Sequence, residues 1–228
     1  MNSSFKTLEG GRAPRKKKGQ NAGGAARKMK GRRANLWFFH STKRNRLLCL
    51  TGDVVFGSAL RLEMDPRVRT YWSPDDDNLE ADGSVKSSPT LLWVEYIDGS
   101  REAWHCSRER TTASDEFKAQ CGSAPIVMRT IDMVLGERVL LDNAMQLCAA
   151  MTAARDCDIA LEYRVILTAL RAQSPLTLGH LVQREDVDPG LAFAAFARLL
   201  VQGEIVAELD AQLLSLHLPV ALAKGGRV

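Results

Sequence analysis

The basic side chains of this chain are concentrated at its N-terminal end. Residues 1–46 hold 14 of the 31 Lys and Arg residues and one acid, Glu9, whereas residues 47–228 carry 17 basic and 26 acidic side chains. A segment with like charges at this density repels itself and has too little apolar surface to form a core. We therefore expect residues 1–33 to be a disordered basic arm that precedes the folded part of the chain.

The composition of the arm favours a nucleic-acid partner. Each Lys or Arg that neutralises a phosphate releases a counterion, so a basic arm binds nucleic acid in a way that weakens as salt rises. A solubilising tail and a contact with an acidic protein or membrane surface are the alternatives. The arm's predicted nucleic-acid contacts are Arg15, Lys16, Lys17, Lys18, Arg27, Lys28, Lys30, Arg32 and Arg33.

The bulk composition is that of a globular cytoplasmic protein. Hydrophobic residues make up 45% of the chain and charged residues 25%, which are ordinary values. No apolar run approaches the roughly 18–20 residues that span a bilayer, and the N-terminus lacks the apolar segment of a secretory signal. We expect no membrane partner. The cysteines are widely spaced and are predicted to be free buried thiols, not disulfides or zinc ligands: Cys49, Cys106, Cys121, Cys148 and Cys157.

Residues 34–46 mix aromatic and cationic side chains. Their aromatic triplet could stack on unpaired bases, although such a triplet more often docks the start of a domain onto its core. Both interpretations stay open for Trp37, Phe38 and Phe39. The segment also extends the predicted nucleic-acid contacts to Lys43, Arg44 and Arg46.

Residues 47–122 have the pattern of a mixed α/β unit. An apolar strand from Leu47 leads into a helix with Thr51 or Asp53 as its N-cap, which Asp65-Pro66 ends. Strand alternation then predicts a strand in VRTYW, a loop over residues 73–90, and a β-hairpin in LLWVEYI and REAWHCS around Asp98-Gly99. Residues 125–154 are predicted to form one or two helices.

Residues 157–218 have the element order of a winged-helix domain. The periodicity predicts a helix at Ile159–Ala172, a short helix capped by Thr177, and a third helix from Asp188-Pro189 to Gln202, which Gly203 ends. Two short strands, 204–208 and 213–218, are expected to follow.

A winged helix commonly places its third helix in the major groove of DNA. Here the only polar side chains of that helix are Arg198 and Gln202, and the surrounding segments are acidic. Reading of bases normally needs several Arg, Asn or Gln side chains. Binding of DNA, with Arg184 and Arg198 as contacts, and binding of a protein therefore carry equal weight for this domain.

The segment LLCLTGDVVFGSALRLEMDPRVRTYW, the hairpin after it and the C-terminal domain together resemble a TnsA-type transposon endonuclease. Leu62-Glu63 and the residues up to Val68 match a helix that ends in a Leu-Glu pair before a strand. The resemblance covers most of residues 43–218. It implies an α/β restriction-endonuclease-like N-terminal core with a small C-terminal winged-helix domain. The implied division is 1–33 basic arm, 34–124 nuclease-like domain, 125–156 helical linker and 157–228 winged helix.

The catalytic pattern implied by that family is missing. The family's chemistry uses an acid on the helix, an Asp at the start of the hairpin and a Glu/Gln-x-Lys motif on the next strand, which hold Mg²⁺ and position water. At these places stand Val55, Leu91 and His105-Cys106-Ser107. The resemblance thus implies a DNA-binding accessory protein of a transposon or other mobile element, without catalytic residues, metal or cofactor. Its implied partners are DNA and a transposase.

Two other functions stay open. One is an active Mg²⁺-dependent endonuclease of a transposition system that uses Asp53, Glu63 and Glu95, and only this function would need Mg²⁺ as a cofactor. The other is an RNA-binding or ribosome-associated protein that uses the arm and the aromatic triplet.

Overall fold

The computed structural model describes residues 35–74, 91–109 and 112–224. The predicted arm and most of the predicted loop over residues 73–90 lie outside the described residues. The described part is a mixed α/β protein, as the sequence predicts. Its strands are β1 (Leu36–Ser41), β2 (Arg46–Thr51), β3 (Val68–Trp72), β4 (Leu91–Tyr96), β5 (Arg101–Ser107), β6 (Ile126–Thr130), β7 (Leu176–Thr177), β8 (Ile205–Ala207) and β9 (Pro219–Leu222). Its helices are α1 (Asp53–Met64), α2 (Asp115–Cys121), α3 (Ile131–Gly136), α4 (Arg138–Ala153), α5 (Ala160–Ala172), α6 (Leu178–Val182) and α7 (Pro189–Gln202).

Strands β1 and β2 form an antiparallel two-stranded ribbon that packs on helix α1. Because successive side chains of a strand point to opposite faces, Trp37 and Phe39 turn towards the helix while Phe38 turns away. The Trp37 ring stacks on Phe56 with centroids 4.3 Å apart, and Phe39 meets the same ring edge-on at 5.9 Å. Docking onto the core is therefore confirmed for Trp37 and Phe39, but Phe38 stays 48% exposed.

Helix α1 begins one residue away from where the capping rule places it. Its N-cap is Gly52, at φ 92°, and not Thr51 or Asp53. A positive φ favours glycine, and the Asp53 carboxylate is engaged elsewhere: it accepts hydrogen bonds from Asn35 and from the Trp37 indole. The predicted stop at Asp65-Pro66 is confirmed, because Asp65 is the C-cap in an extended conformation.

A four-stranded sheet in the order β3-β4-β5-β6 forms the centre of the N-terminal half. Strands β3, β4 and β5 run antiparallel, and β6 runs parallel to β5. Helix α1 covers one face and packs on Leu92, Trp104 and Cys106. Helix α2 covers the other face, where Leu91 and Phe117 belong to a second, smaller cluster. The predicted strand Val68–Trp72 and the predicted hairpin are confirmed.

The prediction of helix throughout residues 125–154 is wrong at its start, and so is the description of residues 125–156 as a wholly helical linker. Ile126–Thr130 is strand β6, which pairs in parallel with β5 from Ala103↔Ile126 to Ser107↔Thr130. A short apolar run cannot be assigned to strand or helix by periodicity alone. Its partner strand lies about twenty residues earlier, so no local signal reveals the pairing. Helices α3 and α4 confirm the rest of that prediction.

The C-terminal part contains helices α5, α6 and α7 and a small antiparallel sheet in the order β7-β9-β8. Its predicted caps are confirmed: the Thr177 hydroxyl accepts from the His180 N–H, and Asp188 accepts from the Leu191 N–H at 2.9 Å. Gly203, at φ 74°, ends α7 as expected.

The last strand lies later in the chain than the sequence predicts. Residues 213–218 were expected to form it, but the strand is Pro219–Leu222. The buried side chain of Asn143 provides the reason. Its amide donates to the carbonyl oxygens of Leu209 and Gln212 at 2.7 and 2.8 Å, and its oxygen accepts from the Leu214 N–H. These main-chain groups are bonded to helix α4 and are not used in a strand ladder.

One continuous hydrophobic core joins the two halves, because α4 and α7 pack against each other and against α1. All five cysteines are thiols outside any disulfide, but Cys49 and Cys157 are exposed, so the prediction of burial is wrong for these two. None of the helices within the described ranges is long and apolar enough to cross a membrane.

Candidate nucleic-acid interface

A cleft of about 460 Å³ lies between the β1–β2 turn and the C-terminal ends of α4 and α7. It brings together two residues that the sequence predicts as nucleic-acid contacts, Lys43 and Arg198, which are 155 positions apart. Three cations and no carboxylate line the cleft. The lining residues are His40, Thr42, Lys43, Asn45, Val68, Met151, Arg155, Arg198, Val201 and Gln202.

Lys43 is held in the cleft by main-chain carbonyl groups. Its Nζ donates to the Asp65 oxygen and, at 2.7 Å, to the Val68 oxygen. Burial lowers the pKa of this ammonium from 10.5 to about 8, although the charges of Glu63 and Asp65 favour the protonated form. Lys43 makes no ion pair with a carboxylate of the described residues. At neutral pH the ammonium is therefore charged, and the nearby carboxylates of Glu63 and Asp65 lie outside the lining of the cleft.

The turn that carries Lys43 is fixed by the carboxylate of Glu63, which is fully buried at the end of α1. Glu63 accepts hydrogen bonds from the Ser41 hydroxyl and the Thr42 N–H, both at 2.7 Å, and from the Lys43 N–H at 3.1 Å. The Tyr71 hydroxyl donates to it at 2.8 Å. These hydrogen bonds hold the turn in a fixed position at the edge of the cleft.

Arg198 enters the cleft from the opposite side. One of its guanidinium N–H groups donates to the Ala154 oxygen at 3.1 Å, at the C-terminal end of α4. A cation is favourable at that end of a helix. A guanidinium has five N–H donors, and within the described ranges Arg198 makes no ion pair. Lys43 and Arg198 thus share one feature: carbonyl oxygens orient both side chains, and neither forms a salt bridge within the described residues.

The other predicted contacts are placed differently. Arg44 and Arg46 belong to the ribbon beside the cleft. Arg184 lies in another cavity and forms a bidentate pair with Asp186, at 2.9 and 3.1 Å. Arg155, which the sequence analysis did not single out, lines the cleft and pairs with Asp156. The nine predicted contacts of the arm lie outside the described residues.

Helix α7 has almost no free surface. Of its 14 residues only Pro189, Gly190 and Gln202 are exposed, because α4, α5 and α6 pack around it. A helix that reads a DNA groove needs one open polar face. The polar residues of this helix, Arg198 and Gln202, line the cleft instead. In this packing α7 therefore presents no open polar face.

The hairpin residues at the positions that the resemblance implies lie on two faces of the sheet, one of which packs against α1. Leu91 and His105 lie on the other face, where the His105 ring meets Phe117 edge-on at 4.4 Å. The residues that face α1 at this level are Leu92, Trp104 and Cys106, and all three are buried. Neither these three side chains nor those of Leu91 and His105 offer an oxygen ligand for Mg²⁺. Burial raises the pKa of the Cys106 thiol to about 11.

No protein-family model matches the chain. No curated protein matches its sequence.

A buried ion pair that the sequence analysis missed lies next to this face. Arg129, on β6 beside Cys106, is 3% exposed and donates to Glu137 at 3.1 Å and to the Ser58 hydroxyl at 3.4 Å. Its guanidinium carbon lies 5.1 Å from the centroid of the Trp104 ring, a cation–π distance. A lone Arg in the apolar run IVMRT is the only local signal of this arrangement.

The three carboxylates of the endonuclease alternative have separate partners. Asp53 accepts from Asn35 and Trp37, whereas Glu95 pairs with Arg101 at 2.7 Å and with Arg69 at 3.4 Å. Glu63 is enclosed by the donors of the β1–β2 turn. In the part of the chain that the structure describes, no group of three or more His, Cys, Asp or Glu residues is arranged to hold a metal ion.

Proposed function

We propose that this protein is a DNA-binding accessory protein of a transposon or other mobile element, similar to a TnsA-type endonuclease but without cleavage activity. The observation that carries the proposal is the convergence of Lys43 and Arg198 on one cleft without a carboxylate. Uncompensated cations at a concave surface attract a polyanion. The basic arm predicted from the sequence adds charge of the same sign to the same chain.

The order of the elements supports the proposed scaffold. Helix α1 is followed by β3, the β4–β5 hairpin, α2 and the parallel strand β6, with α1 and α2 on opposite faces of the sheet. This agrees with the helix, hairpin and next strand that the TnsA resemblance requires. The C-terminal order of three helices with three short strands, β7-β9-β8, supports a winged helix.

The side chains below α1 support the absence of cleavage. Magnesium sites are built from oxygen ligands, and the positions that face α1 offer a leucine, a tryptophan and a protonated thiol in Leu92, Trp104 and Cys106. The separate partners of Asp53, Glu63 and Glu95 do not favour the endonuclease alternative.

The covered helix α7 determines the mode of binding that we propose. Without an open reading helix, the protein contacts the DNA backbone, and backbone contacts carry no sequence information. In this proposal a transposase partner selects the site, the C-terminal unit serves protein binding, and the complex acts in the cytoplasm.

Fluorescence anisotropy with labelled duplex DNA at several salt concentrations tests the proposal. Arg198→Gln should weaken binding and reduce the slope of log K against log salt by about one, and Arg198→Lys should retain most of the affinity. The matched control is Arg171→Gln, which removes the same charge from an exposed residue outside the cleft. Thermal unfolding of each variant separates a loss of contact from a loss of fold.

Three outcomes contradict the proposal. Equal effects of Arg198→Gln and Arg171→Gln would mean that the cleft is not the contact. Nicking of plasmid DNA that depends on Mg²⁺ or Mn²⁺ and is abolished by Asp53→Ala or Glu95→Ala would support the endonuclease. Tighter binding of structured RNA than of duplex DNA at equal salt would support the RNA-binding alternative.

A further inference from the structure

The outer face of the β1–β2 ribbon is apolar and open to solvent. Phe38 is 48% exposed and Leu47 is 62% exposed. Phe38 pairs across the ribbon with Cys49, and the next pair along is His40 with Leu47. The neighbouring aromatics Trp37 and Phe39 are used in packing on α1, so Phe38 is the member of the triplet whose ring remains free for a ligand.

This outer face leads directly into the cationic cleft. His40 lies two residues after Phe38 on the same face of β1, a distance of about 7 Å along a strand, and it lines the cleft. The turn that follows carries Lys43, with Arg198 on the opposite wall. The aromatic ring of Phe38 and the cations of the cleft therefore belong to one connected surface.

We propose that the ribbon and the cleft together bind an unpaired strand of DNA, with a base stacked on Phe38 and a backbone phosphate between Lys43 and Arg198. The inference rests on the proposed DNA binding and adds the class of DNA. Stacking on an exposed side chain needs a base face, and duplex pairing keeps the base faces inside the stack. The cleft, at about 460 Å³, has the size of a small-molecule site. It takes a backbone phosphate of either kind of DNA, and the base stacked on Phe38 gives the preference for an unpaired strand.

The dimensions of the face favour a base over a protein partner. A stable protein interface buries about 800 Å² on each side. The apolar outer surface here is only two strands wide and consists of Phe38, Leu47 and the exposed Cys49. Cations at one end of this surface do not strengthen an apolar protein contact. They do form charge-assisted hydrogen bonds with a phosphate next to a stacked base.

The test uses the full chain and a short oligothymidylate that carries one 2-aminopurine, whose fluorescence is quenched when it stacks. Phe38→Ala should lower the affinity for this single strand by about tenfold and abolish the quenching. Phe38→Trp should retain both. The control, Ile97→Ala, removes another exposed apolar side chain, in the β4–β5 turn, and should change neither. Duplex affinity and its salt dependence should be the same in all four proteins.

The remaining outcomes distinguish this inference from the function on which it rests. If Phe38→Ala binds and quenches the single strand as the parent does, while duplex binding persists, the inference is overturned and DNA binding stands. If neither single-stranded nor duplex DNA is bound, the proposed function itself fails. If Phe38→Ala alters only self-association in sedimentation, the face is a protein contact and the inference is overturned.

Discussion

Tyr71 donates its hydroxyl hydrogen to the Glu63 carboxylate over 2.8 Å, and both side chains are almost completely buried. Burial and the negative charge of Glu63 raise the pKa of Tyr71 well above its ordinary value, so the tyrosine remains a donor at every physiological pH. This pair joins strand β3 to the end of α1, and Glu63 also holds the β1–β2 turn. The position of the cationic cleft therefore depends on a buried anion that does not line it.

Glu63→Gln should destabilise the fold by about 3 kcal/mol, because an amide offers one acceptor where the carboxylate satisfied several buried donors. Tyr71→Phe removes one hydroxyl and should cost only about 1 kcal/mol. Urea unfolding followed by circular dichroism measures both changes. A Glu63→Gln protein as stable as Tyr71→Phe would show that the network does not hold the turn.

The Arg129–Glu137 pair provides a second test, because the Arg129 guanidinium is buried beside Trp104 and Cys106. Arg129→Met should cost about 1.5–3 kcal/mol, because it removes hydrogen bonds to a carboxylate that is 22% exposed and keeps Arg61 as a partner at 3.3 Å. Adding Glu137→Leu should recover part of that loss, since a well-packed apolar pair can replace a buried ion pair. A double-mutant cycle in urea measures the coupling, and additive losses would contradict this account.

Asn143 should be equally sensitive, because its side chain bonds three main-chain groups of the segment before β9. Asn143→Leu has nearly the same volume but leaves these groups unsatisfied, at a cost of about 3 kcal/mol. Hydrogen exchange should then increase at the Leu214 amide. Unchanged protection of this amide would mean that other contacts hold the segment.

The sequence revealed the elements whose ends are set locally. Helix α7 begins at Asp188 and Pro189 and ends at Gly203 because each of these residues acts on the main chain beside it. Strand β6 and the position of β9 depended on partners far along the chain, β5 in one case and Asn143 in the other. Local periodicity contains no information about such partners.

The sequence predicted two cations of the cleft but not the cleft itself, for the same reason. Charge alone singled out Lys43 and Arg198, but their convergence depends on how α4 and α7 pack against the ribbon. Charge also singled out Arg184, which its neighbour Asp186 neutralises. Asp186 stands two residues after Arg184 in the sequence, so this pairing could have been predicted.

The lowered pKa of Lys43, about 8, gives binding and stability opposite dependences on pH. As pH rises through 8, the folded protein loses this charge, so DNA affinity should fall between pH 7 and 9. The unfolded chain keeps its proton up to about pH 10.4. Above pH 8 the unfolded state therefore binds more protons than the folded state, and the contribution of Lys43 to stability rises with pH until about 10.4.

Anisotropy and urea unfolding across this range, each compared with Lys43→Gln, isolate the two effects. Parallel pH profiles for the parent and Lys43→Gln would show that this lysine is not the titrating group.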